Sequence, residues 1–141
     1  MKTPLHLWIF GGLSLFWNII GAGDYTLTQS ENALYLAQFT PEHRTYFKDF
    51  PLWMDTSWAI AVWFAVLGSI LLLSRKKFAP MAFAIAILAT LVSALYSFGL
   101  AEVTMTEVVG TEAIWFTLLI LVIAVAQWVY ARAMRQAGYL R

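Results

Sequence analysis

The chain has 141 residues, 61% of them hydrophobic and only 12% charged, with a net charge of +1, no cysteine and a mean hydropathy of +0.71. Soluble domains carry about 45–50% apolar and about 25% charged residues, and a soluble core of this length could not hide so much apolar surface, so its medium is lipid. The small net charge argues against nucleic acid, and the lack of cysteine excludes disulfides, thiolate metal sites, CxxC redox chemistry and the four-helix thiol oxidoreductases.

A helix needs about 20 mainly apolar residues to cross the hydrocarbon layer. Four stretches qualify, roughly 5–22, 53–74, 79–100 and 112–131. They predict an all-α integral membrane four-helix bundle forming one domain, 1–141. Span one has the outline of a signal peptide, because Lys2 precedes an apolar run that ends in small residues; we read it as a true span. It carries a stripe of small and polar residues, Gly11, Ser14, Asn18 and Gly21, at a spacing that stays on one helix face. Gly21 and Gly23 are expected to let the helix end, with Asp24 in water.

The connection 23–52 holds helix-start signals. Thr28-Gln29-Ser30-Glu31 fits a capping box, with a short helix continuing from Asn32 to Phe39. Thr40 is the expected N-cap of a second short helix that has Pro41 in its first turn. Its aromatics Tyr46, Phe47 and Phe50 either lie flat on the membrane surface or fold back onto the bundle.

Span two repeats the small-residue stripe at Ser57, Ala61, Ala65 and Gly68, with Asp55 near its start. The Arg75-Lys76-Lys77 turn leads to span three, striped by Ala82, Ala86, Ala89 or Thr90, Ser93 and Ser97. Span four follows the connection 101–111 and carries Ala113, Thr117, Ala124, Gln127 and Ala131. Short connections make spans two, three and four antiparallel neighbours. The sequence contains no internal repeat, so it offers no analogy to inverted-repeat transporters.

Charge gives a direction. Seven of the nine basic residues (Lys2, Arg75, Lys76, Lys77, Arg132, Arg135 and Arg141) fall on one side of the spans. The positive-inside rule then puts both termini and the basic turn in the cytoplasm. All eight acidic residues fall at or beyond the opposite face. So strong a bias disfavours a dual-topology multidrug transporter. Trp53, Trp58 and Trp115 fit an outer aromatic belt, and Trp8, Trp128 and Tyr130 an inner one.

Depth sorts the remaining polar residues. At about 1.5 Å per residue from each span's centre, Asn18, Ser93, Tyr96, Ser97 and Thr117 fall in the outer half, with Asp55 at the rim. They are the candidate lining of a shallow binding cavity, and the deep Trp17 and Trp63 could stack on a sugar ring or an apolar ligand. The alternative for Asn18 is an interhelical hydrogen bond, typically worth about 0.6 kcal/mol in a membrane bundle. Gln127 falls on the inner side, about 14 Å in depth from Asn18 and out of its reach. No charged residue is deep, which argues against a proton-coupled pump.

Nothing in the sequence resembles a catalytic motif such as HExxH, GxSxG or a phosphate-cradling loop. His6 and His43 fall on opposite faces and cannot share a metal or haem. The expectation is no enzyme, no cofactor and no metal site.

The residues Leu7-Trp8, Trp17-Asn18, GAGDY at 21–25, YLAQFTPE at 35–42, WAIAVWFAVLGS at 58–69 and FGL at 98–100 carry a resemblance. Over roughly the first hundred residues the chain resembles a widespread group of small, uncharacterised bacterial inner-membrane proteins, some described as sugar transporters. The resemblance implies the four-span fold and carries no catalytic residues. The expected function is to bind or pass a small solute or lipid from the outer half, in the bilayer and as a homo-oligomer. The competing expectation is an accessory or assembly subunit that docks a membrane-protein partner through the segment 24–52.

Overall fold

In a computed structural model, which describes residues 2–141, the chain is all-helical. Its helices are α1 (Leu5–Gln29), α2 (Ala33–Leu36), α3 (Pro41–Lys48), α4 (Leu52–Leu73), α5 (Ala79–Leu95), α6 (Met105–Val109) and α7 (Glu112–Gln136), and α5 runs on into a π-helical turn at Tyr96–Leu100. Four of them, α1, α4, α5 with its π turn, and α7, are long and apolar enough to cross a membrane.

The end of α1 differs from expectation. The helix continues through Gly21 and Gly23 to Gln29, and neither glycine takes a positive φ. Glycine is common inside membrane helices, so it permits an ending without enforcing one. The stop comes at Glu31, in the left-handed region at φ 54°, where the Asn32 amide reaches back to the Leu27 carbonyl and the Glu31 amide to Thr28. That is a Schellman turn, so Glu31 closes α1 instead of completing a capping box with Thr28. Asn32 starts α2, its side chain accepting from the Tyr35 amide. Thr40 caps α3 and Pro41 stands at its start.

The small-residue stripes mark where helices meet. α4 packs between α1 and α5, and α5 also packs on α7. Gly68 on α4 lies under the Phe83 ring of α5, and a Cβ at Gly68 would stand 2.8 Å from ring carbons. Lipid offers little hydrophobic drive between helices, so such close approaches supply the association energy. α7 is the least covered, with 11% of its span buried against 28–33% for the other three.

The basic end of the bundle is closed. Leu7, Leu72, Ala79, Phe83, Ala131 and Leu140 form a buried cluster there. Backbone bonds strap the chain's last residues across the α4–α5 turn: the Lys77 amide donates to the Arg141 carbonyl (2.8 Å) and the Arg141 amide to Arg75 (2.7 Å). Arg75 Nε adds a bond to the Tyr139 carbonyl at 3.2 Å. α4 ends there in a second Schellman turn, with Arg75 at φ 58°.

Candidate functional site

The acidic end is built from rings. α3 folds back onto the bundle, so Tyr46 and Phe50 are buried against Met54, which decides between the two positions the sequence allowed for them. Phe50 meets Tyr46 edge-on at 5.1 Å and Tyr96 at 5.5 Å, and Trp53 meets Tyr96 at 5.4 Å. Edge-to-face pairs of this kind add about 0.5–1.5 kcal/mol each beyond the area they bury. The partly buried Phe47 stacks on Trp58 at 5.8 Å. His43 Nε2 lies 3.1 Å from the Val108 carbonyl and ties α3 to α6. α6 itself starts in a complete capping box, Thr104 with Glu107.

Between α3, the π turn and α6 these contacts leave an open cleft of about 840 Å³. Tyr46 and Tyr96 line it, together with the carboxylate-bearing Glu42, Asp49 and Glu102, and among the described residues no lysine or arginine does. Its volume falls in the range of roughly 300–1,000 Å³ usual for small-molecule sites. Tyr46 is 8% exposed, and its buried hydroxyl is turned to Ser97 of the π turn, which does not line the cleft. Burial also pushes the Tyr46 phenol above the usual tyrosine range.

The eight candidate site residues, six expected to line one cavity and two tryptophans to stack on a ligand, take different places. Tyr96 lines the cleft, and Ser97 is buried in the same π turn. Asp55, at the start of α4, accepts a bond from Gln29 Nε2 at 2.9 Å. Ser93 belongs to the α4–α5 seam: its hydroxyl donates to Ser57 Oγ (3.3 Å), which donates to the Ala89 carbonyl (2.9 Å). Thr117 is half-buried on α7 and Trp17 half-buried on α1, whereas Trp63 is 49% exposed.

Asn18 requires a correction. Its Nδ2 donates to the Ala65 carbonyl (3.1 Å), Ser69 Oγ (2.9 Å) and Gln127 Oε1 (3.4 Å), so it does reach Gln127. The expectation failed because it took the span centres from apolar runs. Both helices extend beyond those runs, α1 to Gln29 and α7 to Gln136. Measured from the true centres, the depth difference shrinks to about 6 Å at 1.5 Å per residue, which two amide side chains bridge. The result is a polar node of α1, α4 and α7, buried in all three side chains. Gln127 Nε2 is left without a partner among the described residues.

Sequence reasoning missed Glu42, Tyr46, Asp49 and Glu102 as one group. Their shared end was legible in the charge segregation, but nothing in the spacing joins residues 42–49 to residue 102. No family model, curated protein or solved structure matches the chain.

Proposed function

We propose that this is a bacterial inner-membrane protein, its termini cytoplasmic, that binds or passes a small solute from its acidic outer end. The observation that supports the reading is the open cleft lined by Tyr46 and Tyr96 together with Glu42, Asp49 and Glu102, whose volume is that of a small-molecule site. The bundle below would serve as its platform, and a role in binding rather than catalysis fits the open, motif-free lining.

Two measurements test this. Because the chain has no cysteine, single cysteines at Thr45 and Lys76 report sidedness through a membrane-impermeant thiol reagent. Labelling of Thr45→Cys alone in intact cells is expected, and labelling of Lys76→Cys alone overturns the orientation. Equilibrium dialysis and proteoliposome uptake with a panel of radiolabelled small solutes then test binding and flux. Failure to retain or move any of them counts against the function. Asn18→Leu separates the two roles, because passage through the bundle interior loses flux while surface binding leaves retention intact.

A second reading, an accessory subunit docking a partner through the segment before α4, draws on Leu34, which is 85% exposed on α2. Co-purification of a stoichiometric partner, lost on deleting residues 30–50, would favour it over the solute reading.

A further inference from the structure

We infer that the basic end of the bundle is a docking surface for an anionic phospholipid. It would grip the headgroup phosphate with the turn between α4 and α5, the strap laid over that turn, and the last turn of α7. The inference rests on the reading of the four long helices as membrane spans and is independent of the cleft.

Convergence comes first. Leu7, Leu72, Ala79, Ala131 and Leu140 meet in one buried cluster. The start of α1, the α4–α5 turn, the end of α7 and the strap therefore share one end of the molecule, and seven of the nine basic residues travel with these segments. The strap makes the crowding specific, because its backbone bonds lay Arg141 directly against Arg75 and Lys77.

The protein supplies no anion to answer this charge. All eight acidic residues stand at the opposite ends of the long helices or in the connections there. Among the described residues the ion pair, Lys48 with Glu31 at 3.7 Å, belongs to that other end. A terminal carboxylate at Arg141 would offset only one of the seven cations. Arg75 is half-buried with its Nε committed to the Tyr139 carbonyl, whereas Lys76, Lys77, Arg132, Arg135 and Arg141 are exposed. Like charges held this close work against closure of the strap until a counter-charge meets them.

Rings fix the depth, and with it the source of that counter-charge. The Arg132 guanidinium lies over the Trp128 ring at 4.9 Å and the Lys77 ammonium over Phe78 at 5.5 Å. Phe78 is 54% exposed, and so is 45% of Trp8 in the first turn of α1. Aromatic rings at the ends of apolar spans sit at headgroup level, where the neighbouring anion is a lipid phosphate. A guanidinium stacked by its flat face keeps its N–H edge for the bidentate grip that phosphate offers. A soluble phosphate would gain nothing from the rings or from the apolar helices beneath them.

The protein is purified in a neutral maltoside detergent and titrated with phosphatidylglycerol and with phosphatidylcholine of the same acyl chains. Bound lipid is counted by native mass spectrometry, and the melting temperature is followed in parallel. Phosphatidylglycerol is expected to bind more tightly and to raise the melting temperature further, since a ligand of the closed end stabilises it. Each cation near an anionic surface is worth about fivefold in affinity. Lys76→Gln/Lys77→Gln should therefore weaken phosphatidylglycerol by about tenfold or more, with phosphatidylcholine binding and circular dichroism unchanged. Arg44→Gln/Lys48→Gln, at the acidic end, should alter neither affinity.

Equal affinity for the two lipids overturns the inference and leaves the solute reading of the cleft untouched. An equal fall in both double variants, or a fall in neither, removes the basic end as the place of binding. Displacement of bound phosphatidylglycerol by an equal concentration of glycerol 3-phosphate makes the occupant a soluble phosphate and overturns the lipid assignment.

Discussion

The two ends of the bundle solve the same problem in different ways. Each must finish four membrane helices whose terminal backbone groups need partners. At the basic end an aliphatic and aromatic cluster is sealed by backbone bonds from Arg75 and Lys77 to Arg141 and by the Arg75 side chain on Tyr139. At the acidic end aromatic edges carry the contact, and an open cleft remains. Backbone pairing closes an end completely, whereas ring edges meet at angles and leave room between them. One end is thereby closed and the other keeps an open cleft.

The largest test of that contrast is Phe83→Ala. Phe83 is 1% exposed in the closed-end cluster, so its removal should cost about 3–5 kcal/mol in unfolding titrations. The open cleft at the other end should be unaffected, so any solute retention by the folded fraction should be unchanged. A cost no greater than that of exposed substitutions at the cleft rim would break the comparison.

Next come the glycines. A methyl at Gly68 meets the immobile Phe83 ring, while one at Gly11 meets the end of the flexible Leu73 side chain at 2.7 Å. Gly68→Ala should therefore cost about 1–3 kcal/mol and Gly11→Ala clearly less. Melting temperatures in one detergent rank the pair, and the reverse order would refute this account of the seam.

Midway between the ends, Asn18→Leu loses three contacts worth about 0.6 kcal/mol each and should cost under about 2 kcal/mol. Gln127→Leu removes an amide whose buried nitrogen has no partner. It should be neutral or mildly stabilising, and a loss larger than that of Asn18→Leu would show that Gln127 has a bond beyond the node.

The smallest effect is in pH. Burial first, and then the Asp24 carboxylate to which its hydroxyl donates, hold the Tyr35 phenol above the usual tyrosine range. The folded state thus binds this proton more tightly than the unfolded chain does. The resulting stability is fully present below about pH 10 and is lost as pH rises through the raised folded-state value. In a wild-type minus Tyr35→Phe difference titration, phenolate absorbance should appear later than for free tyrosine. Appearance at the ordinary value would detach α2 from α1.

Four helices able to span a membrane were legible because apolar length is a local property, readable one segment at a time. The N-cap at Thr40 was legible for the same reason. The end of α1 was not, because a glycine in a membrane helix is compatible with stopping or continuing, and Glu31 in a left-handed turn leaves no composition signal. The Asn18–Gln127 bond was misjudged because depth depends on where helices really end. The cleft was illegible for a third reason: Tyr46 and Glu102 become neighbours only through the α3 fold-back and the π turn, and neither has a sequence period.

The strap over the basic turn also has a consequence in time. Arg75 and Tyr139 are 64 residues apart, so the turn between α4 and α5 is synthesised well before the strand that covers it. While the ribosome is still making α7, the Lys77 amide has only water or a lipid headgroup for company. Closure of the basic end therefore has to wait until residues 139–141 have been made. A chain shortened before residue 139 would stay permanently at that stage.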